Sequence, residues 1–476
     1  MPSLSFPVAE LVKIKGVIHY EERLLCTILL LARPEQRLVY LTSLPVDPAI
    51  IDYYLRFLAH PDDARRRLHL VAVHEPGSRP LTAKLLDHPE VLEQVGALLS
   101  DDGSDDGNTA RNGTDGNDGN AALVPFNVTA GEWRVADALG IPLDGPPSHL
   151  AVLGSKTGAR RVARRAEVAV AEGEEALFSL DEVLGAVERL RARQPGARAA
   201  VVKLNHGFSG QGNALVDLAR RHRTLAETPT TFCAAGESWS SFSSKIAADG
   251  AIVEEVLPAT ASPSVQLRIA ADASVQVVST HDQVLGGPGG QVYLGCRFPA
   301  DRRYRSAITD AAVRVGQVLA AEGVIGPFGI DFLITPGSDG DDVTLSEINL
   351  RMGGTTHPFW MARLLTGGTY DVASGELRCG ERPKCYVATD NLGATTPAGC
   401  SPAWAVTAVE RAGLAYDRRT GTGTALHLLG ALPGFSKVGV TSIGDSPEEA
   451  DARFDEVTAV LTGHEGCADP ATRGAG

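Results

Sequence analysis

The chain has no C-x-x-C pair. Its seven cysteines (Cys26, Cys233, Cys296, Cys379, Cys385, Cys400, Cys467) stand at wide, irregular spacings. This excludes a zinc ribbon and offers no disulfide framework, so reduced thiols are expected. No apolar run approaches the ~20 residues that span a bilayer. The longest near the N-terminus, LLCTILLLA (Leu24 to Ala32), follows Glu21 and Glu22 rather than a basic region, which makes it a poor secretion signal. It is expected to be a buried strand. Positive charge is also scarce: the formal net charge is −14. That balance argues against nucleic acid or an anionic membrane as the main partner. A cytoplasmic protein is expected, with the N-x-T sequons at Asn112 and Asn127 arising by chance. Any anionic ligand must then be held by local cations.

What is present suffices for two or three domains, since 43% of 476 residues are hydrophobic. In the first hundred residues, strand patterns (RLVYLTS, RLHLVAV) alternate with helical ones (PAIIDYYLRFLA, PEVLEQVGALLS). This predicts an α/β domain over 1–150. Within it, DDGSDDGNTARNGTDGNDGN, 101–120, is almost wholly Asp, Gly, Asn, Ser and Thr. It lacks the Glu of a calcium-binding EF-hand loop, and a disordered surface insertion is expected. The pattern resumes with AALVPFNV and a helix in GEWRVADALGIP, and a boundary falls near Pro146 and Pro147. A strongly basic helix spans Ser155 to Arg165, with Lys156, Arg160, Arg161, Arg164 and Arg165. After about 375 the composition loosens, then closes on a helix in SPEEADARFDEVTAVL with a capping signal.

Three motifs carry chemistry. In GIDFLITPGSDGDDVTLSEINLRM, two strand patterns flank turn chemistry. A symmetric hairpin centred on Asp339 places Asp331 opposite Glu347. Asn349 and Arg351 follow on the face of Glu347, while Ile348, Leu350 and Met352 take the other face. Facing carboxylates repel unless a cation joins them. Asp331, Glu347 and Asn349 offer oxygen only, which suits Mg²⁺ or Mn²⁺ rather than zinc. A solvated strand face is the other reading. The second motif is VVKLNHGFSGQGN: a Val-rich strand ending at Lys203, then a loop with Gly207, Ser209, Gly210, Gln211 and Gly212. Glycines admit backbone N–H groups to phosphate oxygens and Lys adds charge, although an ordinary turn fits as well. Neither this loop nor GSKTG at 154–158 is a Walker A motif. The third is AIVEEVLPA, where Glu254 and Glu255 end a buried strand before Val256 and Leu257. They either close a strand or line a base pocket.

Taken in order, these motifs resemble the ATP-grasp superfamily over roughly 150–375. The whole chain looks similar to the pheganomycin-type peptide ligases of actinomycetes, an impression strengthened by GTGTALHLLGALPGFSKVGVTSIGDSPEEA. The resemblance implies two α+β subdomains clasping ATP (151–375), preceded by the α/β domain. A C-terminal segment (376–476) would pack on the ATP-grasp domain. It implies ATP phosphates on Lys156, Lys203 and the glycine loop, and adenine near Glu254, Glu255, Val256 and Leu257. It implies Mg²⁺ on Asp331, Glu347 and Asn349, and stabilisation of the transferring group by Arg351. SPSVQLR lacks the usual ribose-binding acid, so Ser264 is expected to substitute. The implied activity joins the carboxylate of a nonproteinogenic, guanidino-bearing amino acid to a peptide amine through an acylphosphate, releasing ADP and phosphate. A carboxylase or phosphotransferase on the same fold is the alternative; no Met-Lys-Met biotin motif is present. MGGTTHP departs from the biotin carboxylase pattern after Arg351. Substrate candidates are Arg268, His281, Arg297, Gly353, Gly354 and Thr355. Partners expected are ATP, a carboxylate small molecule and an amine peptide, with a homodimer left open.

Overall fold

The structure, a computed structural model, describes residues 1–100, 121–207, 210, 212–219, 221, 223–338, 340–392 and 399–463. The acidic insertion, Ser209, Gln211, Asp339 and Cys467 lie outside these residues. The chain divides into two compact units. One comprises Met1–Ser148, Arg351–Asp371 and Glu376–Gly476; the other comprises His149–Leu350 and Val372–Gly375. The N- and C-terminal segments, expected as separate domains, thus belong to one unit.

In the first unit, β1 (Leu38–Thr42) and β2 (Leu68–Ala72) pair in parallel, from Leu38 opposite Leu68 to Thr42 opposite Ala72. The helix Pro48–Leu55 crosses between them, its start fixed by the Asp47 carboxylate accepting from the Ala49 N–H. Leu41, Val71, Leu81, Leu85, Val95 and Val135 form the core. LLCTILLLA is not a strand: Val17–Ala32 is a 3₁₀ helix that buries Leu24, Leu25, Ile28, Leu29 and Leu31. A continuous apolar run has no period that separates strand from buried helix, and here the helix wins.

The second unit contains two antiparallel sheets. β3 (Gly173–Leu177), β4 (Ala199–Leu204), β5 (Asn213–Asp217), β6 (Thr230–Phe232) and β7 (Ala251–Glu255) lie in the order β3-β7-β4-β5-β6. Val202, Val216 and Val253 pack there against Val183, Val187, Leu190, Phe242 and Ile246 of two covering helices. The other sheet holds β8 (Pro263–Ile269), β9 (Val275–Gly286), β10 (Val292–Phe298), β11 (Gly326–Pro336) and β12 (Asp341–Asn349), in the order β12-β11-β8-β9-β10. Val265, Leu267, Phe328, Ile330, Phe332 and Ile334 turn one face onto the helices Lys156–Arg165 and Arg302–Ala321. Because side chains alternate, Ser264, Gln266, Gly329 and Asp331 belong to the opposite face. One face is thereby spent on the core and the other is left for chemistry.

Back in the first unit, β13 (Thr369–Asp371), β14 (Glu376–Cys379), β15 (Arg382–Leu392), β16 (Gly423–His427) and β17 (Val438–Gly444) are antiparallel, with β17 between β15 and β16. The final helix Pro447–Thr462 starts where Ser446 accepts from the Glu449 N–H, as its capping signal predicts. Cys26, Cys233, Cys296, Cys379 and Cys385 are free thiols.

Candidate active site

The hairpin of β11 and β12 pairs Asp331 with Glu347, as the sequence predicts, but not for the reason of simple symmetry. Near the turn Pro336 pairs with Asp341 and Phe332 with Leu345. A regular ladder continued from there would put Ser346 opposite Asp331. A bulge at Ser346 inserts the extra residue, so that Glu347 faces Asp331 and Asn349 faces Gly329. The row continues across the sheet, with Asp331 opposite Ser264 and Ser264 opposite His281. Residues of four strands thus share one polar line.

Asp331 is held by two amides. Gln283 Nε2 donates to its Oδ1 at 2.7 Å and Asn349 Nδ2 to its Oδ2 at 3.0 Å. Glu347 is held by a cation: Lys156 Nζ lies 2.9 Å from Oε1. The Glu347 side chain keeps 26% of its exposure, while Lys156 keeps 7%. Lys156 opens the basic helix, which Ser155 caps by accepting from the Gly158 N–H at 3.0 Å. Asn205, just past β4, accepts from the Thr157 N–H at 2.9 Å through Oδ1, and its carbonyl accepts from the Lys156 N–H at 3.3 Å. One asparagine therefore joins the end of the Lys203 strand to the start of the Lys156 helix.

Lys203 lies on β4, with Nζ 2.9 Å from Glu254 Oε2 and 3.4 Å from the hydroxyl of the bulged Ser346. Burial alone would lower its pKa, but Glu254 and then Glu347 beside it outweigh that and raise it above the usual lysine value. Lys203 is a fixed positive charge at any physiological pH. The other oxygen of Glu254 pairs with Arg160, which also donates to the Ala171 carbonyl at 2.9 Å and to Glu175 at 3.0 Å. Arg160 and Glu254 are each only 3% exposed. The Glu254 carboxylate is thus committed to cations rather than left open to read a base edge. Glu255, Val256 and Leu257, half-buried, carry the chain onward from β7.

Gly207 and Gly212 pass so closely that a Cβ on either would meet the other's Cα at 3.1 Å. Gly210 has φ +75°, and a Cβ there would meet the Gln291 carbonyl oxygen at 2.2 Å. The loop admits only glycine at this point. Ser264 is 1% exposed and accepts from Gln266 Nε2 at 3.1 Å, which leaves its hydroxyl inside the sheet. Among the substrate candidates, Arg268 lies further along β8 on the same polar face and is half-buried. His281 is fully buried against Phe298, with ring centroids 5.5 Å apart, and burial lowers its pKa to about 3, so it is neutral. Arg297, opposite Asp282 on β10, is exposed. The structure does not gather these three at one point of the sheet. Arg351 donates to the Met352 carbonyl at 2.9 Å and lies over the Phe6 ring at 5.8 Å. Gly353 donates its N–H to Thr356 Oγ1 at 2.9 Å, Gly354 continues the turn, and Thr355 is buried at 3% at the start of the helix Thr356–Thr366.

Sequence reasoning missed Arg160, Asn205, Gln283 and Ser346. Arg160 had a signal, since it sits one helical turn after Lys156 on a helix too basic for a buried position. Gln283 had none, because it lies far from its partner in sequence.

The donor set of Asp331, Glu347 and Asn349 is oxygen only and lies on adjacent positions of two paired strands, which fits Mg²⁺. The second unit thus holds two antiparallel sheets, two buried lysines and a carboxylate hairpin. The family described as IQCH-like ATP-grasp matches residues 225–373, and the PGM1 C-terminal domain family matches residues 404–456. The chain is 37% identical over 455 residues to an L-propargylglycine–L-glutamate ligase of Streptantibioticus cattleyicolor, covering 93% of this chain and 89% of that protein. Among solved structures it is similar to a biotin carboxylase of Campylobacter jejuni, with a TM-score of 0.54, 14% identity and coverage of 92% and 88%. It is also similar to an N5-carboxyaminoimidazole ribonucleotide synthetase in its ADP complex, with a TM-score of 0.53, 12% identity and coverage of 93% and 96%. The chain belongs to the ATP-grasp ligase family. It is an ATP-dependent ligase. Among the described residues no helix is long and apolar enough to cross a membrane.

Proposed function

We propose that the chain joins the carboxylate of a nonproteinogenic amino acid to the amine of a second amino acid or a peptide, with release of ADP and phosphate. The pairing that carries this reading is Lys156 on Glu347 and Lys203 on Glu254, beside the Asp331–Glu347 row. A guanidino-bearing donor and a peptide acceptor are the finer reading. They rest on the resemblance to the pheganomycin-type ligases, whose supporting stretch overlaps the matched residues 404–456. The relative's name joins propargylglycine to glutamate, which supports an amino-acid donor and an amine acceptor.

In this reading ATP phosphates lie against Lys156, Lys203 and the 207–212 loop. Asp331, Glu347 and Asn349 would hold Mg²⁺, which when bound supplies positive charge against the phosphates. The donor carboxylate attacks the γ-phosphorus, the bond to ADP breaks, and an acylphosphate forms. Lys203, held cationic by the buried Glu254, and Lys156 offset the charge that develops on the transferred group. The amine then attacks the acyl carbon, loses a proton, and phosphate leaves with the former carboxylate oxygen. No side-chain nucleophile is needed. Arg351 is proposed to stabilise the charge on the acyl phosphate.

The test uses the purified chain with ATP, Mg²⁺ and a panel of donors (propargylglycine, guanidino-bearing amino acids) and acceptors (glutamate, short peptides). ADP and phosphate are expected only when both substrates are present. Release of AMP and pyrophosphate, or ADP release that needs bicarbonate instead of an amine, would overturn the reading.

A further inference from the structure

In the unit that joins the N- and C-terminal segments, three elements bring together one residue each. His357 stands in the first turn of the helix Thr356–Thr366, Asp390 on β15 and His427 on β16. Their exposures are 1%, 7% and 1%. His357 Nε2 lies 2.7 Å from Asp390 Oδ1, and His427 Nδ1 lies 3.6 Å from the same oxygen. The two rings meet edge to face with centroids 4.8 Å apart. One ligand atom from each residue falls within 4.8 Å of the other two.

His427 Nε2 faces the Thr441 hydroxyl at 3.3 Å. Among the described residues its Nδ1 has no hydrogen-bond partner, although it is buried and aimed at a carboxylate oxygen. Leaving a buried polar atom unsatisfied destabilises the fold. A cation between imidazole and carboxylate removes that cost. Arg23 contacts the other side of the carboxylate, with Nη2 3.1 Å from Oδ2. Its guanidinium is stacked over Tyr20 at 4.1 Å and Phe126 at 4.8 Å. That contact orients Asp390 and leaves Oδ1 toward the histidines, in the manner of an outer-shell partner. A neighbouring cation disfavours a hard ion held by charge alone. Two imidazoles favour a borderline metal.

We propose that His357, Asp390 and His427 form a structural Zn²⁺ site, separate from the oxygen-ligand site of the ligase reaction. It would pin the first turn of the helix that follows Arg351–Thr355 to two strands of the sheet. Two imidazoles and one carboxylate are common zinc ligands.

The test uses the full-length chain, stripped with a chelator, reloaded with Zn²⁺ and desalted. Metal analysis should find about one equivalent of zinc per chain. The apparent Tm should rise, and Co²⁺ in place of Zn²⁺ should give visible ligand-field absorption. Millimolar Mg²⁺ should not displace the zinc. His427→Gln and Asp390→Asn should lose it, while Glu347→Ala keeps it. Should those variants fail to fold, the wild-type stoichiometry and Co²⁺ spectrum decide. A folded wild-type chain with no retained zinc and no Co²⁺ spectrum overturns the proposal. So does retention of zinc in folded His427→Gln, or its loss in Glu347→Ala.

Discussion

Lys156 and Lys203 are both nearly buried, but they are held in different ways. Lys203 rests on Glu254, whose second oxygen belongs to Arg160, and the three are almost closed to solvent. Lys156 rests on Glu347, which keeps 26% of its exposure and faces Asp331 across the hairpin. The first cluster is a scaffold in which each charge has a fixed partner, so its loss should cost stability as well as the phosphate contact proposed for Lys203. The second is proposed as a working pair whose partner is exchanged for a metal or phosphate, so its loss is expected to act on activity. On the proposed reading, a lysine's role depends on how permanent its carboxylate is as well as on its own burial.

That contrast can be broken in several ways. Glu347→Ala should lower turnover by on the order of 10²-fold or more, in line with removal of a preorganised charge-stabilising group. Its unfolding midpoint should move little. Assays of ADP release beside a denaturant titration check both, and unchanged activity would remove Glu347 from the metal site. Arg160→Met should do the reverse first. It leaves Glu254 and Glu175 short of a buried cation and should cost about 3–5 kcal/mol of stability, read as a lower denaturant midpoint. Lys156→Met should cost far less stability while raising the KM for ATP. Equal stability losses in Arg160→Met and Lys156→Met would erase the distinction drawn between scaffold and working pair.

A smaller effect concerns His281, on the same row as Asp331 but buried. Its folded pKa of about 3 lies below the ordinary 6.5. Below pH 6.5 the unfolded chain binds a proton that the folded chain refuses, so this group lowers stability progressively as pH falls from about 6.5 toward 3. Replacement by Phe should flatten that part of the stability–pH curve by about one proton's slope. Denaturant midpoints of wild type and His281→Phe at pH 7, 6, 5 and 4 measure the difference. Identical slopes would mean that His281 is not buried neutral. Ser346→Ala should be the mildest change, a few-fold loss at most, because it removes one long hydrogen bond of about 1 kcal/mol and leaves the bulge.

The strands and the hairpin pairing of the proposed ATP side are legible in the sequence because each motif is local. Lys203 ends a Val-rich strand, the glycines follow at once, and Asp331 and Glu347 lie on strands joined by a short turn. Even so, the register came out as expected only because the Ser346 bulge offset a turn centred between residues 338 and 339. Arg160 was visible as a basic residue, but its burial depended on Glu254 and Glu175, which no period in the sequence links to it. Gln283 on Asp331 and the joining of N- and C-terminal segments into one unit are long-range facts of the same kind. The 3₁₀ helix at 17–32 was misread because an unbroken apolar run has no period to read.

The most direct test of the central claim follows one oxygen atom. A donor amino acid carrying ¹⁸O in its carboxylate is turned over with ATP and an acceptor amine. If the carboxylate is phosphorylated before the amide forms, one ¹⁸O per turnover appears in the released inorganic phosphate, and none appears in a nucleotide. Label in AMP, or unlabelled phosphate with normal amide yield, would contradict the account.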